Sequence, residues 1–507
     1  MNSRPDILNL AMHELLEELH RGTVTTERVT REYLRRIDAM NLKGPHLRAV
    51  ICTHPDAMAE ARRMDKERAR GELRGPLHGV PLLVKDNIDT RDMPTTAGSV
   101  LLSAHRPAAD APLVARLREA GALILGKTNL SEWANFRSTR SSSGWSSIMG
   151  QTRNPHVLDR SPSGSSSGSG AAVAADLCAA AIGTETDGSI VSPASSCGIV
   201  GFKPTVGLIT QKGIIPISAT QDTAGPMARS VRDCALLMNV MQFPGTYEPL
   251  APLTAISRAL PDHTSMLYAE ALSGKRIGVD VSYKNHQPAV VALFERSMEL
   301  MRRCGAELVD VSLFSAVRER AGSKEWEVLL YEFRRDLNAY LTSSTAPVRT
   351  LKELIDANTK NAARCMPLFD QEIFLEAERA TDEAVYHSAV EATLGVRGVF
   401  DDAFAKDRLD AVSCVTTGPA WCIDPVNGDA SVSPSCTSPA AMAGFPHVTV
   451  PMGFVRGLPV GLSIMSTANM DAQVLGYAYA FEQASKAIRR PAFATTVQGL
   501  TSPRRRP

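Results

Sequence analysis

Apolar residues recur at three- and four-residue steps through TTERVTREYLRRIDAM (25–40). Val29, Tyr33 and Ile37 share one face there, and Thr25 or Thr26 can cap the start. A second, more charged helix is predicted over 56–70. The pattern then changes. Residues 80–84 (VPLLV) form a short apolar run of strand length between Gly79 and Asp86. A helix follows, with Asp110 as its cap, Pro112 in its first turn and Leu113, Val114 and Leu117 facing inward. Gly121 ends that helix, and 122–125 (ALIL) is a strand.

Farther on, 275–281 (KRIGVDV), 288–303 and 306–311 (AELVDV) predict strand, helix and strand. Segments 324–342 and 370–390 are predicted helices. HVTVP and PVGLSIM are predicted strands separated by the turn-prone GFVRGLP, and a last helix follows. Strands alternate with helices and no repeat is visible. The expectation is one large α/β domain over 1–507, with a helical insertion around 320–390.

Composition narrows the function classes. The chain has 507 residues, 44% hydrophobic and 21% charged, which is globular rather than disordered. Its formal net charge of +1 gives no global field toward nucleic acid or a membrane surface. The basic tail SPRRRP reads as a solvated terminus. No apolar run is long enough to span a bilayer. Glu14, Glu17 and Glu18 interrupt any secretory layout at the start, so a cytoplasmic protein is expected. The nine cysteines are scattered and odd in number, without a C-x-x-C pair, which favours buried thiols over disulfides or zinc. HELLE (13–17) lacks the second histidine of a zinc motif, so no metal or other cofactor is expected.

Two motif matches fail on context. GALILGKT (121–128) has the letters of a phosphate-binding loop, but a helix precedes Gly121, and Ala-Leu-Ile-Leu reads as the strand itself. GSSSG (164–168) has the letters of a nucleophile elbow. No strand leads into it, and nothing marks His447 as a partner.

The chemistry concentrates elsewhere. GSSSGSG (164–170) and GTETDGSIVSPAS (183–195) bracket a small-residue apolar run. Two turns around a buried helix would explain the glycines but not so many hydroxyls beside packed alanines, since buried hydroxyls need partners. A serine nucleophile needs a base, and a lysine serves if burial keeps it neutral. Lys85 leaves the apolar strand GVPLLVK. On these grounds alone it is either that base or a surface lysine laying its stem along the strand.

GPLHGVPLLVKDNIDT, SGSSSGSGAAVAA, GTETDGSIVSPASSCGIVGFKPT and AMAGFPHVTVPMGFVRGLPVGLSIM, in that order, resemble the amidase signature family. NLSEWANFRS, GWSSIMGQTRNP, GIIPISATQDTAGPMARS and EWEVLLYEFRRDLNAYL are most similar to its peptide amidase branch. The resemblance implies a central mixed sheet covered by helices, with the signature core at about 75–235 and 405–490. It also implies a Ser-Ser-Lys triad. Ser189 would be the nucleophile, Ser165 the proton bridge and Lys85 the base. The backbone N–H groups of the Thr186, Asp187, Gly188 and Ser189 turn would form an oxyanion hole, with Ser166 and Asp222 in support. Trp145 and Trp421 would line a substrate channel or pack in the core.

Much of the family has Gly where this chain has Asp187 and Arg where it has Val191, and here the peptide amidase branch resembles this chain. The implied activity is release of ammonia from primary carboxamides, with C-terminal peptide amides as substrates and no nucleic-acid or membrane partner. The alternatives are a general small-amide or aryl-amide hydrolase, and a non-catalytic or amidotransferase subunit. The oligomeric state stays open.

Overall fold

A computed structural model describes residues 6–243, 261–430 and 433–497, so the SPRRRP tail lies outside the described residues. The strands of the main sheet are β1 (Val50–Thr53), β2 (Pro81–Lys85), β3 (Leu123–Thr128), β4 (Ala180–Glu185), β5 (Val200–Lys203) and β6 (Thr223–Ala228). They continue with β7 (Arg276–Asp280), β8 (Glu307–Val311), β9 (Ala411–Val415), β10 (His447–Val455) and β11 (Leu458–Met465). These form one eleven-stranded sheet in the order β1-β3-β2-β4-β6-β5-β10-β11-β9-β7-β8. The sheet is mixed. Strand β2 pairs parallel with β3 and β4, and β7 pairs parallel with β8 and β9. Strands β10 and β11 form the antiparallel hairpin expected from HVTVP and PVGLSIM.

Strand β2 reads as a continuous apolar run because all its residues are buried between layers of helix. The helices Ser167–Ala174 and Val191–Cys197 are buried along their whole length, against β2, β3 and β4 and against β10 and β11 respectively. Small residues make this possible. A Cβ on Gly168 would collide with the carbonyl oxygens of Ala49 and Asn129, so only glycine lets the first helix approach that closely. The stretch GSSSGSG is therefore an anchored helix entry, with its helix starting at Ser167.

Between β8 and β9 the chain is helical, from Leu313–Ala321 to Val396–Asp407. This insertion shares an apolar cluster with the loops above the sheet. Leu329, Phe333, Leu337 and Phe374 pack with Trp133, Phe136, Ile215 and Ile217 from the loops above the sheet. Several local expectations change. Segment 370–390 is two helices, Glu372–Arg379 and Glu383–Leu394, and Asp382 caps the second through Ala384 and Val385. Thr25 caps Thr26–Met40 as expected. Asp110 does not cap Pro112–Glu119, since Ala111 holds that position. Its carboxylate instead accepts from Arg91 N at 3.0 Å and lies 3.2 Å from the Arg118 guanidinium.

Candidate active site

Lys85 is the last residue of β2, and strand pairing on both sides leaves it fully buried. Its Nζ donates to Ser165 Oγ at 2.8 Å, to Thr184 Oγ1 at 2.8 Å and to the Thr184 carbonyl at 3.2 Å. Burial lowers its pKa to about 7, against the opposing pull of the Asp222 and Glu185 charges. A lysine on a surface would show none of this. The apolar strand carries the amine inward.

The serine-rich segment is held tightly. The Gly164–Ser165 peptide bond is cis, and Ser163 sits at φ +63. Ser131 N donates to the Ser165 carbonyl at 3.1 Å. Ser166 Oγ donates to the Thr184 carbonyl at 3.0 Å and accepts from Thr184 N at 3.2 Å. Its N–H donates to the Ser189 carbonyl at 3.1 Å. Ser166 therefore ties three pieces together, namely the serine loop, the end of β4 and the turn bearing Ser189.

That turn leaves β4 at Glu185 and enters the helix Val191–Cys197, with Gly188 at φ +78. Glu185 Oε2 accepts from Ile190 N at 2.7 Å and Val191 N at 3.0 Å. Among the described residues, the N–H groups of Thr186, Asp187, Gly188 and Ser189 donate to no acceptor. Thr186 Oγ1 donates to Asp222 Oδ1 at 2.5 Å, and Ile217 N and Ser218 N donate to Asp222 Oδ2 at 2.8 and 3.0 Å. Burial still pushes the Asp222 carboxyl up to about 7. Asp187 accepts from Ser438 Oγ at 2.5 Å, and burial raises its pKa too.

Ser165, Ser189, Thr184, Thr186 and Asp222 line one narrow cleft together with Asn87, Ala134, Gln211, Ile214, Ile215 and Ile217. Lys85 lies directly behind Ser165. Ser189 makes no side-chain hydrogen bond among the described residues, so its hydroxyl is open to the cleft. The two tryptophans are elsewhere. Trp145 is buried against Phe369, with ring centroids 5.1 Å apart, and beneath the Arg137 guanidinium. Trp421 donates its indole N–H to Asp429 at 2.9 Å. Neither lines the cleft, whose apolar wall is Ile214, Ile215 and Ile217. No signal in GIIPI singles out that wall. Asn87, by contrast, lies only two residues from Lys85, close enough for its place in the chain to mark it.

The rejected motifs stay rejected. Lys127 is buried on β3, paired with Asp86 at 3.1 Å and donating to the Ile88 and Pro94 carbonyls. His447 is buried on β10, with Nε2 2.6 Å from Ser463 Oγ and no contact with the 164–168 serines.

The family model described as Amidase matches residues 28–475. Native peptide amidase from Stenotrophomonas maltophilia superimposes with a TM-score of 0.89 at 45% identity, over 96% of this chain and 99% of that one. A probable amidase of Arabidopsis thaliana is 36% identical over 97% of this chain and 93% of its own length. A glutamyl-tRNA(Gln) amidotransferase subunit of Moorella thermoacetica is 35% identical, over 96% of this chain and 98% of its own length.

Proposed function

Because the chain belongs to the amidase family, we propose that it cleaves primary carboxamides to acid and ammonia through Lys85, Ser165 and Ser189, and that its substrates are C-terminal peptide amides. The observation that carries this reading is the fully buried Lys85 Nζ, 2.8 Å from Ser165 Oγ in the wall of the cleft that Ser189 lines.

Once neutral, Lys85 presents its lone pair to Ser165, whose hydroxyl then donates to Nζ; Lys85 takes that proton, and Ser165 takes that of Ser189. The Ser189 oxygen attacks the amide carbon, and the carbonyl π electrons move onto oxygen. The free N–H groups of the 186–189 turn stabilise that oxyanion, each worth roughly 10²–10³ in rate. The proton returns along the same path to the leaving nitrogen, ammonia departs, and water cleaves the acyl-enzyme by the reverse sequence. Ser165 and Ser189 line the same cleft, and the relay requires their hydroxyls within hydrogen-bonding reach.

Peptide amides are favoured by the 45% identity to a peptide amidase over nearly the whole chain. Ammonia release from a panel of amides tests this. An amidated dipeptide should exceed acetamide and a long fatty amide by at least about 10²-fold in kcat/KM, or about 2.7 kcal/mol. Internal peptide bonds should survive. Equal or faster cleavage of simple aliphatic or aryl amides would favour a general amidase. The amidotransferase reading rests on the Moorella relative. Val191 and the net charge of +1 speak against it, since a tRNA surface is strongly basic. Turnover of free amides without tRNA separates the two.

A further inference from the structure

Glu185 is the last residue of β4, is 1% exposed, and spends one carboxylate oxygen on two backbone N–H groups that lie beyond the Ser189 turn. This closes a ring. The chain leaves Glu185, passes through Thr186, Asp187, Gly188 and Ser189, and is caught again at Ile190 and Val191 by the side chain it left. The first helical N–H groups are thereby satisfied, as a capping residue would satisfy them, although Ile190 at the cap position has no side-chain oxygen. The four N–H groups inside the ring are left with no acceptor among the described residues.

A buried carboxylate is costly unless compensated. Lys203, on β5, is the cation whose charge favours the ionised form, while burial acts against it and raises the Glu185 pKa. Lys203 is itself 0% exposed, and among the described residues its Nζ donates to the Pro204 carbonyl alone, at 3.1 Å. The charges of Asp471 and Asp187 also act on Lys203, and Asp471 accepts from Thr205 N and Oγ1 at 2.7 and 2.5 Å. An uncompensated anion beside the oxyanion turn would oppose the charge that develops there. Burial raises the Glu185 pKa, and a protonated carboxyl still accepts both backbone hydrogen bonds through its carbonyl oxygen.

We propose that Glu185 is a positioning residue for the oxyanion turn: its carboxyl group, bonded to Ile190 N and Val191 N, holds the Thr186–Ser189 N–H groups toward the cleft. The inference rests on the reading of Ser189 as the nucleophile. Glu185 touches no substrate and acts only through the turn.

The test uses the full-length chain and its Glu185→Ala and Glu185→Gln variants. Three quantities are measured for each: kcat, KM for an amidated dipeptide, and Ki for a peptide aldehyde. The aldehyde adds the Ser189 hydroxyl across its C=O, and the resulting hemiacetal oxygen would sit where the oxyanion does. Ki does not depend on how much of the protein is folded, so a merely structural role would leave it unmoved. Glu185→Ala should lose about 10²–10³ in kcat with KM within about threefold, and the aldehyde Ki should rise by the same factor. Glu185→Gln keeps an oxygen that can accept both N–H groups, and should stay within about tenfold of wild type on both measures.

A Ki that holds while kcat falls would overturn the proposal. So would a loss carried by KM, or an alanine variant within about threefold of wild type. Should the alanine variant not fold, Glu185→Met, which fills the same space without an acceptor, takes its place with the same expected losses and the same overturning outcomes. Mapping the aldehyde or a fluorophosphonate to Ser189 in the wild type separates the two levels. No adduct there overturns the nucleophile reading and this inference with it, whereas an adduct together with an unmoved Ki overturns this inference only.

Discussion

Lys85 has to be uncharged to take a proton, and burial holds its pKa at about 7. The neutral fraction therefore grows as pH rises through that value, so kcat/KM should climb from the acid side and level off above it. Asp222, on the same cleft, also titrates at about 7, and its ionisation raises the Lys85 pKa. The rise belongs to the pair and should be broader than a single titration. A profile flat between about pH 5 and 9 would remove Lys85 from the base role. Lys85→Met should cost roughly 10⁴–10⁶ in kcat, the scale of triad members elsewhere. Lys85→Arg should be as inactive, because a guanidinium stays charged. Near-normal turnover in the arginine variant would sink the relay.

At the element scale, the small residues of Ser167–Ala174 set the spacing between that helix and β3. Gly168→Ala should lower the melting temperature markedly, with a stability loss of at least about 1–3 kcal/mol, because the colliding atoms are backbone carbonyls that cannot rotate away. Thermal unfolding checks it, and an unchanged midpoint would mean the helix can slide outward. Glu332, on the insertion helix Lys324–Ser343, is 0% exposed and accepts from Ser218 Oγ at 2.5 Å, Thr220 N at 3.1 Å and Tyr386 OH at 2.7 Å. Glu332→Ala strands these donors and should cost about 3–5 kcal/mol, read by denaturant unfolding.

Elements with a regular apolar period were legible in the chain, including Thr26–Met40, Pro288–Arg303 and the β10–β11 hairpin. The break at 380–382 was not, because it is made by the Asp382 cap within a stretch whose periodicity continues on both sides. Trp145 and Trp421 show the same limit at the site. An indole in a glycine-rich loop fits a channel and a core equally well on sequence. Phe369, a partner more than two hundred positions away, decided it for Trp145. Lys85, Ser165 and Ser189 were singled out by the resemblance of their segments to the amidase signature family, and all three lie at the cleft, whereas nothing in the sequence framed the Ile214, Ile215 and Ile217 wall.

Across the whole molecule, every polar side chain lining the cleft comes from residues 87–222, on or between the strands. The insertion packs on Ile215 and Ile217 of the cleft wall, and its hydrogen bonds to the loop 217–222 lead toward that chemistry. Glu332, Asp336 and Glu325 grip Ser218, Ala219, Thr220 and Gln221 from above, while the next residue, Asp222, holds Thr186 below. Inheritance can treat the two halves differently as a result. Replacements along the outer faces of the insertion helices can accumulate over generations without touching the proton path. Substitutions at the six positions of that loop are felt on both sides at once. Lineages that adopt new amides are then expected to diverge first in the insertion, with the loop as the hinge of that divergence.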